Sequence, residues 1–107
     1  MLLTTTSNLE GKTISTYHGL ISSEVIVGAN VIKDIFASFT DIFWWRSTMY
    51  EHSLISWKNQ AIDELIKKAE KVGANGIIAI DLDFEAVGKW SMFMINAVGT
   101  AISFKDQ

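Results

Sequence analysis

The stretch IIAIDLDFEAVG, residues 77–88, decides how half of this chain folds. In an extended strand alternate side chains share a face, so Asp81, Asp83 and Glu85 form one acidic row. The residues between them are apolar and line the opposite side: Ile80, Leu82, Phe84 and Ala86. The stretch therefore predicts a strand with one face on a core, and its acidic row is the first candidate for a metal site.

Two further segments have the composition of strands. Residues 12–22 are rich in β-branched and aromatic side chains, and this strand is expected to continue after a bend through residues 24–29. Residues 91–104 have apolar side chains on both faces, which is typical of a strand covered on both sides. Pro is absent and no linker or repeat divides the chain, so residues 1–107 are predicted to form a single domain.

Two amphipathic helices complete a predicted α+β fold. Over residues 31–43 apolar side chains recur at helical spacing, and Asn30 precedes them as a cap. A longer helix is expected to begin at Thr48, where TMYE is a capping-box sequence, and to end at Gly73. Its predicted buried stripe has eight members: Leu54, Ile55, Ala61, Ile62, Leu65, Ile66, Ala69 and Val72. We therefore expect one sheet with a short and a long helix beside it.

Composition restricts the classes of partner. Hydrophobic residues make up 49% of the chain and the mean hydropathy is +0.23. Both values are high for a small soluble domain and indicate apolar surface buried between subunits. Nine Lys and Arg face twelve Asp and Glu, and no basic run occurs, so neither nucleic acid nor a membrane surface is an expected partner. The expected partner is another copy of the chain.

Neither an export signal nor a membrane span is predicted. The N-terminal MLLTTTSNLEGK lacks the basic start and apolar run of a signal peptide. The longest uncharged run, residues 90–104, is shorter than the ~18 residues that a spanning helix requires. Cys is absent, which fits a reducing compartment, so we expect a cytoplasmic protein.

Enzyme signatures are missing from the sequence. His18 and His52 each lack a second His, Cys or carboxylate at a metal-ligand spacing. No dinucleotide fingerprint, P-loop, nucleophile elbow or HExxH occurs, and GANG at residues 73–76 lacks the following helix of a phosphate cradle. We therefore predict no catalytic residues and no enzyme activity.

Strand geometry limits what the acidic row can bind. Adjacent members would lie ~6.7 Å apart and the outer two ~13 Å apart, whereas oxygens that bind one Ca²⁺ lie within ~2.6 Å of it. One ion cannot take Asp81, Asp83 and Glu85 together. Ile77 and Ala79 would precede them on the same face, so one interpretation is a solvated rim. The other is a shared site in a symmetric ring, where one carboxylate per subunit converges near the axis.

Several blocks of the sequence together resemble the YbjQ family. They run in the order TTT, LEGKTI, GAN, KDIFAS, RS and YE, followed by GANGIIAIDLDFEAVG and SMFMINAVGTAI, and they cover nearly the whole chain. The resemblance implies a fold similar to the dodecin subunit, with a small curled antiparallel sheet beside helices. It also implies assembly as a homopentamer and carries a heavy-metal-binding label without an established activity.

The resemblance also marks particular residues. Its polar motif falls on seven positions: Asn30, Asp34, Asp41, Arg46, Ser47, Tyr50 and Glu51. Its acidic strand falls on the acidic row, Asp81, Asp83 and Glu85. The family usually has two glycines before the Arg-Ser pair, where this chain has Trp44 and Trp45. Two bulky rings in place of a flexible turn argue against a ligand role for that loop.

Residue chemistry and the family label point to different ions. Soft heavy metals prefer thiolate and imidazole, whereas carboxylates suit Ca²⁺, Mg²⁺ or Mn²⁺. We therefore expect no cofactor beyond a weakly bound divalent cation. Three hypotheses remain in order: a homopentameric scaffold or small-ligand-binding module, a metal-binding protein that uses acidic residues, and an enzyme with an unrecognised site.

Overall fold

In a computed structural model of the chain, residues 1–28, 43–87 and 92–106 are described, except for the side chains of residues 43–53 and 87. The elements in chain order are β1 (Leu2–Leu3), β2 (Lys12–Val27), α1 (Phe43–Lys71), β3 (Gly76–Val87) and β4 (Met92–Asp106). The short helix predicted over residues 31–43 lies outside the described residues, apart from its last position.

The four strands form one sheet in the order β1-β3-β4-β2. β4 is antiparallel to both of its neighbours, β2 and β3, as the family resemblance implied. The α+β class is therefore confirmed, but the sheet is mixed and not antiparallel throughout, because Leu2 and Leu3 pair in parallel with Gly76 and Ile77. A strand of two residues is too short to show an alternating pattern, so it could not be predicted from periodicity.

β2 is one strand along its whole length, and two bulges replace the expected bend. The register against β4 shifts between Ile14 and Thr16 and again between Tyr17 and Gly19. Gly19 has a φ of 114°, a conformation that favours glycine. Beyond it, from Leu20 to Val27, the pairing with β4 is regular. Bulges increase the local twist of a strand, which shapes the first half of β2.

The long helix begins earlier than the sequence predicted. α1 starts at Phe43, so Thr48 lies within the helix and is not its cap. No Gly or Pro separates Phe43 from Thr48, so nothing in the backbone stops the helix from extending through the capping-box sequence. The predicted end is confirmed at Gly73, which has a φ of 80°. There Gly73 N donates to Glu70 O and Ala74 N to Ala69 O, the two bonds of a Schellman motif.

α1 packs on one face of the sheet along a narrow line of residues. Ala61, Leu65 and Ala69, each four residues after the last, have no exposed surface. Ser23 of β2 is buried among them and donates from Oγ to the Ala61 carbonyl at 2.6 Å. The predicted stripe is too wide, because Ile55 and Val72 are 49% and 48% exposed.

Ala79 forms a bulge in β3 that changes which residues share a face. Its φ is 53°, and the pairing with β4 moves from Ile78 opposite Thr100 to Asp81 opposite Val98. One extra residue is therefore inserted in β3, and it reverses the alternation. The prediction that Ile77 shares a face with the acids is wrong, since Ile77 belongs to the core beneath α1 and the acidic row lies on the other side.

Candidate functional site

The side of the sheet away from α1, here called the open face, carries the acidic row. Cross-strand partners in an antiparallel pair share a face, so the registers identify its members. They are Leu20, Ser22, Glu24 and Ile26 on β2, Met94, Asn96, Val98 and Thr100 on β4, and Asp81, Asp83 and Glu85 on β3. The opposite side holds the core with α1.

The acidic row flanks the open face along β3, and all three of its side chains are exposed. Asp83 lies opposite Asn96, which in turn lies opposite Glu24 of β2. A polar band therefore crosses the sheet and ends in a carboxylate on each side. Glu24 and Asn96 were not predicted as site residues, because their proximity to Asp83 depends on strand register, which the sequence alone does not supply.

Within the described residues, the carboxylates and histidines do not gather into a metal site of three or more ligands. His18 instead bonds through Nε2 to Ser103 Oγ at 2.7 Å. Of the predicted polar motif, Asn30, Asp34 and Asp41 lie outside the described residues. The other four members, Arg46, Ser47, Tyr50 and Glu51, lie on the first turns of α1, and their side chains are not among those described.

The open face also exposes large apolar side chains. Leu20 is 76% exposed and Ile26 is 57% exposed, both on β2. Met94 and Val98, which lie beside them on β4, are half-buried. β4 was predicted to be covered on both sides, but within one subunit its open-face residues from Met94 to Thr100 are only half-buried, whereas Ile102 farther along is fully buried. A soluble domain of this size rarely leaves such a surface to water, so the open face suits contact with another molecule.

The elongated shape of the subunit also suits contact with another molecule. Its radius of gyration is 17.1 Å, whereas a compact chain of this length would have about 13 Å. Its accessible surface is 6939 Å², against about 6000 Å² for a typical monomer of this mass. The subunit is elongated, with extents of 56 × 24 × 18 Å, and it therefore buries less of its surface alone than a compact monomer would.

Two grooves lie near the N-terminal segment. One, of about 670 Å³, is lined by polar and apolar residues of the first twelve positions, including Thr4, Thr6 and Asn8. Its hydroxyls already bond within the segment, since Thr4 Oγ1 and Thr6 Oγ1 lie 2.8 Å apart and Thr6 Oγ1 donates to Asn8 O. The other groove, of about 420 Å³, is mostly apolar and lies between α1 and β3, lined by Leu3, Thr4, Thr5, Ile62, Ile80 and Leu82.

A charged pair lies at the end of the sheet where β2 begins and β4 ends. Lys12 Nζ of β2 lies 2.5 Å from Asp106 Oδ1 of β4 and 5.2 Å from the centre of the Phe104 ring. The hydrogen bond and the charge of Lys12 lower the pKa of Asp106. A carboxyl group whose pKa is lower in the folded than in the unfolded state stabilises the fold at pH values above its unfolded pKa. The stabilisation from the Lys12–Asp106 pair is therefore lost as the pH falls through the folded pKa of Asp106. The pair is exposed, so it has little weight in stability.

The fold and the open face define a class: a small α+β subunit with an elongated sheet, one covered face and one acidic, partly apolar face. No helix in the described part of the chain has the length and apolar character needed to cross a membrane. A family model described as "Putative heavy-metal-binding" matches residues 1–105. The chain therefore belongs to the YbjQ family, as its sequence blocks indicated.

Relatives and a solved structure agree with this assignment. A UPF0145 protein of Anoxybacillus flavithermus is 48% identical over 106 residues, which cover 99% of this chain and 100% of that protein. A UPF0145 protein of Geobacillus thermodenitrificans is 48% identical over 105 residues, or 98% and 100% of the two chains. A crystal structure of a DUF74 family protein of unknown function from Pediococcus pentosaceus has a TM-score of 0.59 at 20% identity and covers 98% of each chain. It supports the fold alone.

Proposed function

We propose that this protein is the subunit of a homopentamer that serves as a scaffold or a small-ligand-binding module in the cytoplasm. The observation that carries the proposal is the combination of an elongated subunit with exposed Leu20 and Ile26 on its open face. Burying such residues releases about 25 cal/mol per Å² of apolar surface, so association offers a favourable free energy. The number five comes from the family resemblance, and the absence of Cys supports the compartment.

No catalytic role is part of this proposal. The polar groups that the fold brings together on the open face, Asp83, Asn96 and Glu24, lie on an exposed surface. General acid and base catalysis relies on groups whose pKa values are shifted by burial or by close neighbours in a cleft. The arrangement therefore suits contact and binding better than chemistry.

The assembly can be tested by light scattering. We expect the purified chain, whose subunit mass is 11.9 kDa, to scatter as an oligomer at micromolar concentration and to remain one on tenfold dilution. Elevated salt should have little effect on an interface that is mainly apolar. A stable monomer across this concentration range would refute the proposal.

A metal-binding function is the second candidate, and the family description and the acidic row favour it. Carboxylates prefer hard cations, so we expect weak, salt-sensitive Ca²⁺ or Mg²⁺ binding and no tight Zn²⁺ or Cd²⁺ binding. The measurement is titration calorimetry of the wild type and of an Asp81→Asn/Asp83→Asn variant. The variant should lose the weak Ca²⁺ signal.

The same titration tests the heavy-metal description of the family. Submicromolar Zn²⁺ or Cd²⁺ affinity that disappears in the Asp81→Asn/Asp83→Asn variant would contradict the expected preference for hard cations and favour a heavy-metal-binding function. A Lys67→Gln variant provides the control, because Lys67 lies on α1, pairs only with Glu64 at 3.4 Å among described groups, and is remote from the open face. Its titration should match that of the wild type.

A further inference from the structure

The two bulges of β2 meet at one residue of β4. Each register shift leaves one extra residue in β2, Ser15 in the first bulge and His18 in the second. Both extra residues bond to Ser103 of β4: Ser15 Oγ donates to its carbonyl at 3.1 Å, and His18 Nε2 lies 2.7 Å from its hydroxyl oxygen. Bulges often re-aim a side chain next to a functional site. Here two of them converge on a serine hydroxyl and an imidazole.

The contacts of the Ser103 hydroxyl indicate where its one proton lies. The Gly73 carbonyl is 3.4 Å from Ser103 Oγ, beyond the usual O–H···O range of about 2.5–3.0 Å. His18 Nε2, at 2.7 Å, is at an ordinary hydrogen-bond distance. If Nε2 carried the ring proton, the hydroxyl proton would be left with only the distant carbonyl. The geometry therefore favours a hydroxyl that donates to an unprotonated Nε2, with the ring proton on Nδ1.

The surroundings hold Ser103 in place and leave it accessible. Asn75 bonds both backbone groups of the next residue, since Nδ2 donates to Phe104 O and Phe104 N donates to Oδ1, each at 2.9 Å. Ser103 and His18 are half-buried, whereas Gly73 beside them is exposed. A serine is activated by a base within hydrogen-bond reach whose ring is oriented by its surroundings. Here the second bulge of β2 orients that base.

We propose that Ser103 is a nucleophile with His18 as its base, and that it accepts an acyl group from small activated esters. Ser103 Oγ forms a bond to the carbonyl carbon of the ester while its proton passes to His18 Nε2. The bond between that carbon and the leaving oxygen then breaks, and the oxygen departs with the electron pair. Nε2 returns the proton to the departing oxygen, so the products are an acyl-serine and the free alcohol.

The site suits transfer to Ser103 and not rapid turnover. The amides of the turn beside it, Val72 N, Gly73 N and Ala74 N, already donate to carbonyls at the end of α1. Asn75 Nδ2 is likewise occupied by Phe104 O. In the described part of the chain, these groups leave no pair of free donors for an oxyanion, which is the feature that makes acyl hydrolysis fast. We therefore expect a lasting acyl-serine.

Reaction of the intact chain with p-nitrophenyl acetate tests the site. Peptide mass spectrometry should locate about one acetyl group per subunit on Ser103, and nitrophenolate release should stop near that amount. Hydroxylamine should remove the acetyl group, because it is held by an ester and not by a lysine amide. His18→Gln should slow the acetylation at least about a hundredfold, since Gln keeps a hydrogen bond but cannot act as a base. Ser15, which bonds only to a carbonyl among described groups, should stay unmodified in the same sample.

Heteronuclear NMR of the ring nitrogens tests the base without any variant. At alkaline pH, where imidazole is neutral, it should show the proton of His18 on Nδ1 and none on Nε2. A wild-type chain without an acetyl group on Ser103, an unchanged acetylation rate in His18→Gln, or a proton on Nε2 would each overturn the inference. None of these outcomes bears on the proposed oligomer, which light scattering tests separately.

Discussion

Replacing Gly99 by Ala is expected to lower the free energy of unfolding by about 1–3 kcal/mol. The bulge in β3 brings the chain close to this point of β4. A Cβ at Gly99 would lie 2.7 Å from Ile77 Cγ2, 3.3 Å from Ile80 Cγ1 and 3.4 Å from the Ile78 carbonyl. Ile77 has no exposed surface, so it has little room to move. Denaturant unfolding at fixed protein concentration measures the effect.

Gly28 provides the matched control for this substitution. In the described part of the chain, a Cβ at Gly28 would have no atom within 4 Å. Gly28→Ala should therefore be neutral or stabilise by a few tenths to about 1 kcal/mol, because Ala restricts the unfolded chain. Equal unfolding free energies for Gly99→Ala and the wild type would contradict the close approach of the bulge to β4.

Leu65→Ala is expected to cost more, about 2–5 kcal/mol. Leu65 lies between Ala61 and Ala69 on the buried line of α1 and has no exposed surface. It is the one large side chain among these three, so its removal leaves a cavity between the helix and the sheet. The loss should appear as a lower denaturant midpoint with an unchanged slope.

Ile55→Ala is the control, because Ile55 lies on the same helix and is 49% exposed. Below the concentration at which subunits associate, it should cost less than Leu65→Ala by about 1 kcal/mol or more. Similar losses for the two variants would mean that α1 does not pack along the line of Ala61, Leu65 and Ala69.

Local patterns predicted the elements better than their ends. The alternation around Asp81 identified β3, and Gly73 identified the end of α1, because both signals depend on neighbouring residues alone. The start of α1 was misplaced at Thr48, since a capping-box sequence can also occur inside a helix. The short parallel strand at Leu2 and Leu3 depends on a partner more than seventy positions away.

The candidate site was predicted in composition but not in arrangement. The alternation placed Asp81, Asp83 and Glu85 in one row, yet the bulge at Ala79 decided which side of the sheet that row faces. A left-handed Ala has no distinctive sequence signal, because that conformation is usual for Gly, Asn or Asp. For the same reason the proximity of Glu24 and Asn96 to the row could be found only from the strand registers.

Some of the exposed apolar residues were visible in the sequence but assigned to the core. Ile55 and Ile62 fit the helical period of the buried stripe, and Phe84 fits the apolar side of β3. Periodicity shows which residues avoid water, but it does not distinguish burial within a subunit from burial between subunits. Exposures of 49% for Ile55 and 50% for Phe84 make that distinction.

Native mass spectrometry of the untagged protein tests the central claim most directly, because one spectrum reports both the number of subunits and any tightly bound ion. We predict a dominant species at five times the subunit mass of 11.9 kDa, without a stoichiometric heavy metal. A monomer, or an assembly that retains one zinc or cadmium ion per subunit and loses it with Asp81→Asn/Asp83→Asn, would contradict this account.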